Sequence, residues 1–205
     1  MCVAARMSVR HMLLEVRRFH VSMYLDIDPY LLFNKRGIDS GQRLQEYLHG
    51  LMLRLMGHAH ISMYEFFEAT RTRLVVPITD LEAGQTIYLD HARAPDLPVV
   101  EAIQISMTLP LIFTPRVFEG HLCVDGGLMD NFPLHLFPPA TTLGIRSLWN
   151  SSGPLDSFSQ YCSRILYCAF ASSDKNDIHE YNVVHVNVGD IKVVEFHLDM
   201  HQIEH

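Results

Sequence analysis

The stretch VVEAIQISMTLPLIFTPRVFEGHLCVDGGLMDNFPL, residues 99–134, holds the residues whose types and order could do chemistry. Asp125 closes an apolar run, His121–Asp125, that reads as a short strand, and Gly126-Gly127 let the backbone turn sharply behind it. In open α/β sheets, ligand sites gather at the carboxyl ends of strands. An acid placed there can lie against an apolar cleft, where desolvation raises its pKa and donated hydrogen bonds lower it. Such an Asp can serve as the base for a nucleophile. Upstream, a helix delivers Ser106 and Leu109-Pro110 into an apolar loop. Ser106 has two readings, a substitute nucleophile or a buried hydroxyl bonded to backbone, and the second is the expectation. Asp130 and Asn131 read as loop-fixing hydrogen-bond groups.

The elements that must position these residues follow from periodicity. Val9, Leu13, Val16 and Met12, Val16, Phe19 recur at helical spacing, so the chain opens in an amphipathic helix. Residues 26–40 are broken by Pro29 and Gly37 and read as a connection. Asp39 and Gln42 have the spacing of a capping box. The helix they would start runs to about Met56, with Leu44, Leu48, Leu51 and Leu55 on one face and Gly57 as its stop. Ser62 and Glu65 repeat the capping spacing for a short helix to Thr70. Residues 73–79 read as a buried strand, and 85–90 as its hairpin partner across the turn residues 80–84. Pro98 suits the first position of a helix that ends near Met107. Residues 109–115 read as a loop, 141–148 as a strand, 149–154 as a loop, 155–171 as a helix and 183–188 as a strand. Asp199 and Gln202 would begin a last helix. Strands and helices alternate, which implies an α/β class with helices on a mostly parallel sheet.

Composition narrows the function. The 205 residues are 48% apolar and 19% charged, which excludes disorder as the main state. Net charge is −7, and no basic cluster exceeds Arg17-Arg18 or Lys35-Arg36, so a nucleic-acid partner is not expected. No apolar run reaches the ~18–20 residues that cross a bilayer. Cys2, Cys123, Cys162 and Cys168 form no C-x-x-C pair, and a reducing, cytoplasmic setting is the simpler reading. Among the 13 His, His197, His201 and His205 lie four apart, and His58 and His60 form a second cluster. Without a third ligand of known placement these read as solvated polar faces, and no metal is expected. Asn150-Ser151-Ser152 is a glycosylation sequon, but nothing beside it argues secretion.

The ordered series Leu74-Val75-Val76-Pro77-Ile78-Thr79-Asp80-Leu81, Pro95-Asp96-Leu97-Pro98 through Ser106, Pro110, Phe113 and Pro115, and Val124-Asp125-Gly126-Gly127 followed by Asn131 and Pro133 resembles the patatin-like phospholipases, a family of lipid acyl hydrolases. D-G-G alone is ordinary turn chemistry; the series carries the likeness. The family pattern has Ala before the helix Ser, where this chain has Ile105, and small residues after the Pro, where it has Leu111-Ile112. The resemblance implies a three-layer fold and a Ser-Asp dyad that cleaves lipid or phospholipid acyl esters without metal or organic cofactor. Asp125 takes the acid's place in it, with Gly126, Gly127, Asn131 and Ser106 as motif-supporting residues. Peripheral contact with a membrane surface would accompany such a substrate.

The family's serine sits on a G-x-S-x-G elbow, and its oxyanion donors on a Gly-rich loop upstream. Neither pattern occurs in the 205 residues; Gly37-Ile38-Asp39-Ser40-Gly41 has the wrong spacing. The opening helix resembles the later part of the helix that follows the elbow. The expectation is a single truncated domain over residues 1–205, lacking the N-terminal strands. It would be inactive by itself, marginally stable and prone to associate through unpaired strand edges. The alternative is a catalytically dead module that keeps the cleft to bind lipid or protein.

Overall fold

A computed structural model of the chain describes residues 2, 4–148, 155–172 and 182–187. It parts into two compact units, Met1–Gly127 and Leu128–His205.

In the first unit, α1 (Val9–Arg18) is followed by a 3-10 turn at Val21–Tyr24. The rings of Phe19 and Tyr24 stack, and both contact Tyr47 of α3 (Gln42–Met56). Glu15 reaches Arg54 on α3 at 3.2 Å. Val9 and Leu13 of the expected apolar stripe are exposed, whereas Met12 and Phe19 are half-buried. Residues 26–40 are more than a connection. They form a five-residue helix, α2 (Leu31–Lys35), and a three-residue strand, β1 (Gly37–Asp39).

The capping box expected at Asp39 does not form. Gly41 is the N-cap of α3, in the left-handed region at φ 71°, and has no side chain to cap it, while Ser40 Oγ accepts the Gln42 N–H at 3.3 Å. Asp39 is drawn instead into β1, which pairs in parallel with β4 (Leu111–Phe113), a segment that reads as loop in the sequence. Its carboxylate accepts the Gly41 N–H at 2.6 Å and the Asp26 N–H. On α3 the buried positions are Leu44, Leu48, Leu51 and Met52, with Met52 in the place expected for Leu55. Gly57 ends the helix at φ 73°, as expected. In α4 (Met63–Thr70) the capping box is complete: Ser62 Oγ accepts from Glu65 N–H, and the Glu65 carboxylate accepts from Ser62 N–H.

Four strands form the main sheet in the order β3-β2-β6-β5. They are β2 (Val76–Asp80), β3 (Gln85–Leu89), β5 (Arg116–Phe118) and β6 (His121–Asp125). All three pairings in this sheet are antiparallel. Turns of four and two residues join β2 to β3 and β5 to β6, far too short for the crossover that parallel pairing demands. Among the described residues, parallel pairing occurs in β1–β4 and in the second unit. The sequence passes over β5 because its turn is Glu119-Gly120 rather than Asn-Gly or Asp-Gly. Both turn residues nonetheless have positive φ, at 50° and 89°, as a two-residue type I′ connection requires. Helix α5 (Val99–Ser106) packs against α3, β2 and β6. It is apolar on most sides, and Val99, Val100, Ala102 and Ile105 are buried with Ile78 of β2 and Val124 of β6.

In the second unit, β7 (Leu143–Leu148) and β8 (Asn182–Asn187) pair in parallel, with α6 (Phe158–Ser172) between them in sequence, a βαβ arrangement. The class is therefore α/β with parallel sheet elements and helices. The loop at 149–154, the sequon and the helix expected from Asp199 lie outside the described residues. No helix among the described residues is long and apolar enough to cross a membrane.

Candidate functional site

Asp125 ends β6, next to the central strand β2, with Ile78 as its cross-strand neighbour. Its backbone is fixed on two sides. Its N–H donates to Thr108 O at 2.9 Å, and its carbonyl accepts from Thr79 Oγ1 at 2.9 Å. Thr108 is itself buried and anchored, its hydroxyl donating to Gln104 O on α5 at 2.8 Å. The end of α5 and the end of β6 are thus held together by backbone groups.

The two glycines behind Asp125 meet two separate demands. Gly126 has no positive φ, but a Cβ there would fall on the Pro77 carbonyl and within 2.8 Å of the Pro77 Cβ. Close approach of two backbones requires glycine at that point. Gly127 N–H donates to Asp125 Oδ1 at 2.8 Å. Among the described residues that is the one hydrogen bond to this carboxylate, so Oδ2 keeps its capacity to accept. Asp125 retains part of its surface, yet its carboxyl is closely packed by protein. Desolvation pushes its pKa from the ordinary 3.8 up to about 6, and the Gly127 N–H opposes that rise.

The other expected site residues fare differently. Ser106 is the last residue of α5, two residues before Thr108. It is half-buried rather than buried, and its hydroxyl has no hydrogen-bond partner among the described residues, contrary to the backbone-bonded reading. Asn131 is exposed, and its side chain makes no hydrogen bond among the described residues, so it does not fix its loop as expected. Asp130 is buried, with His135 Nε2 at 3.8 Å from Oδ2. Asn131 and Asp130 belong to the second unit. Among the described residues, no group of three or more His, Cys, Asp or Glu could hold a metal ion.

Sequence reasoning missed Thr79, Thr108 and Gln104. Gln104 is buried, and its Nε2 donates to Gly41 O at 3.0 Å, tying α5 to the start of α3. A polar residue inside an otherwise apolar helix was the signal that could have found it.

A family model for patatin-like phospholipases matches residues 3–138, about two thirds of the chain and all of the elements that position Asp125. The chain belongs to the patatin-like phospholipases. An uncharacterized protein of Acanthamoeba polyphaga mimivirus is 26% identical over 194 residues, covering 86% of this chain and 63% of the relative. A probable lipid hydrolase of Invertebrate iridescent virus 6 is 24% identical over 103 residues, covering 50% of this chain and 36% of the relative. The chain thus spans less than two thirds of the length of either relative. Within the patatin-like match lie β2, α5 and β6, the elements that carry the motif series, and the D-G-G turn closes the first unit.

Proposed function

We propose that Asp125 is the acid of a Ser-Asp dyad that hydrolyses acyl esters of lipids. The observation that carries this reading is the state of the Asp125 carboxylate. One oxygen is held by the Gly127 N–H, the other has no partner among the described residues, and packing raises the pKa to about 6. A base of that pKa is ionised at neutral pH and still basic enough to share a proton in the transition state. A serine hydroxyl presented to Oδ2 would lose its proton there as Oγ attacks the ester carbonyl. Backbone N–H groups would hold the resulting oxyanion. Collapse would return the proton to the departing alcohol, and water would repeat the cycle on the acyl-enzyme. None of these steps calls for a metal or an organic cofactor. The printed name of the iridescent-virus relative, a probable lipid hydrolase, supports a lipid substrate.

No G-x-S-x-G occurs in the 205 residues, and this reading has the serine and its oxyanion loop supplied from outside them. The 205-residue chain is expected to cleave a short-chain p-nitrophenyl ester no faster than buffer with an inert protein. The same chain joined to an upstream elbow and Gly-rich loop is expected to turn the ester over. Asp125→Asn in that longer protein should remove about 10³–10⁴-fold of its rate, the scale on which triad members act. Robust turnover by the 205-residue chain that Ser106→Ala abolishes would overturn the proposal and make Ser106 the nucleophile.

A further inference from the structure

Residues of β2, β3, β5 and β6 and of the segments flanking them surround a cavity of about 550 Å³ that does not include Asp125. It lies at the His121 end of β6, about 13 Å along the strand from Asp125 at ~3.3 Å per residue. Six acidic and basic side chains line it, in three pairs. Arg73 meets Asp90 at 2.7 Å, Arg93 grips both oxygens of Glu119 at 2.7 and 2.6 Å, and His121 Nδ1 meets Asp80 Oδ2 at 2.7 Å.

The hydrogen-bonding capacity in these pairs is unequally spent. Asp80 and Asp90 are nearly closed to solvent, at 2% and 8% of their side-chain surface. Their acceptors are filled as well. Asp80 Oδ1 takes the N–H groups of Glu82 and Ala83, and Asp90 Oδ1 those of Ala92 and Arg93. Each Glu119 oxygen accepts from the Arg93 fork, although 55% of that side chain's surface stays open. The three cations are open as well. Arg73, Arg93 and His121 keep 51%, 45% and 48% of their side-chain surface. Each guanidinium has N–H groups left over after its pairing, and among the described residues His121 Nε2 has no partner. The Phe118 ring lies 5.7 Å from the Arg93 guanidinium and helps to fix it. What the cavity offers a ligand is therefore donors, from three separate cations.

We infer that this cavity binds a phosphate-bearing ligand, seated on Arg73, Arg93 and His121. A planar carboxylate has two oxygens to offer, whereas a phosphate monoester has three non-bridging oxygens in a tetrahedral array that can meet donors from three directions. The cavity is several times larger than the phosphate itself and leaves room for an organic group beside it. A phospholipid headgroup and a small soluble phosphate ester present the same chemistry.

The test uses the 205-residue chain and follows the His121 Cε1–H resonance, assigned with His121→Asn, during titration with inorganic phosphate, with glycerol 3-phosphate, and with phosphatidylcholine vesicles containing or lacking phosphatidic acid. A saturable shift with the soluble phosphates identifies a small ligand, and protection confined to the phosphatidic acid vesicles identifies a lipid headgroup. Either result sustains the site. Arg93→Gln is expected to weaken binding about 5–10-fold, since it removes charge-assisted donors. It should fold normally, because Arg93 and Glu119 form an exposed pair. Binding should also tighten as His121 protonates, with Asp80, Glu82 and Glu119 the carboxylates around it. No saturable shift with any probe, a shift reproduced by sodium chloride at equal ionic strength, or undiminished binding by Arg93→Gln overturns the inference.

Discussion

Asp125→Asn tests the electrostatics of the site without needing the rest of the catalytic machinery. In the folded chain the carboxyl titrates near 6 rather than 3.8, because packing penalises the charged form more than the Gly127 N–H favours it. The folded state therefore binds the proton more tightly than the unfolded one. The sign follows from linkage: this stability is fully present below the unfolded pKa and is lost as pH rises through the folded value. A difference of about two pKa units corresponds to about 3 kcal/mol at pH values above both. Asn has the same shape, and its amide oxygen can accept the Gly127 N–H in the place of Oδ1, but it carries no charge. Any fixed cost of the amide is independent of pH and drops out of the slope. Urea unfolding of both proteins, from about pH 4 to about pH 8, should show the stability of the Asn variant gaining on the parent by about 2–3 kcal/mol, mostly between the two pKa values. A flat difference across that range would refute the reasoning, and so would one that runs the other way. The carboxyl would then be well solvated, and its role as a tuned base would lose its physical basis.

Three further outcomes follow from the same geometry. Gly126→Ala places a methyl on the Pro77 carbonyl, so it should lower the urea midpoint by an amount equivalent to about 1–3 kcal/mol or more, whereas Gly120→Ala, with open space around it, should strain only its turn. Ser62→Ala removes the hydroxyl half of the α4 capping box and should cost about 1 kcal/mol in the same assay. The His121–Asp80 pair raises the imidazole pKa, chiefly through the Asp80 hydrogen bond, so its support of the fold is present below the ordinary His value and fades as pH rises through the raised one. His121→Asn should abolish that part of the pH dependence of unfolding, and an unchanged profile would contradict the pairing.

The sequence was most legible where the signal was local. Ser62 and Glu65 sit three apart before an apolar run, and the capping box forms as expected. The apolar run within residues 121–125 leads into Gly-Gly, and the strand ends at the expected Asp. Where pairing joins distant segments, the local signal fails. β1 and β4 are three residues each, too short for periodicity, and neither exists without the other. Asp39 has cap chemistry, but the parallel pairing with β4 places its carboxylate between two backbone donors before it can cap α3. Ser106 was placed correctly at a helix end. That it is only half-buried was not foreseen, because what covers a hydroxyl depends on neighbours the spacing does not name.

The same distinction explains why D-G-G is weak as a string and specific as a structure. Read in sequence, two glycines after an acid mean only a sharp turn. In the fold they are not equivalent. Gly126 is set by Pro77 on the adjacent strand, a residue nearly fifty positions away, and Gly127 by the carboxylate two positions back. A motif of this kind has meaning only when the strand beside it is present, which is why the series from Leu74 to Pro133, and not the tripeptide, identified the family. It follows that the geometry of Asp125 is a property of the β2–β6 pair together with α5. Thr79 holds its carbonyl, Thr108 its N–H and Gly127 its carboxylate, so the acid is oriented by elements that all lie within the first unit.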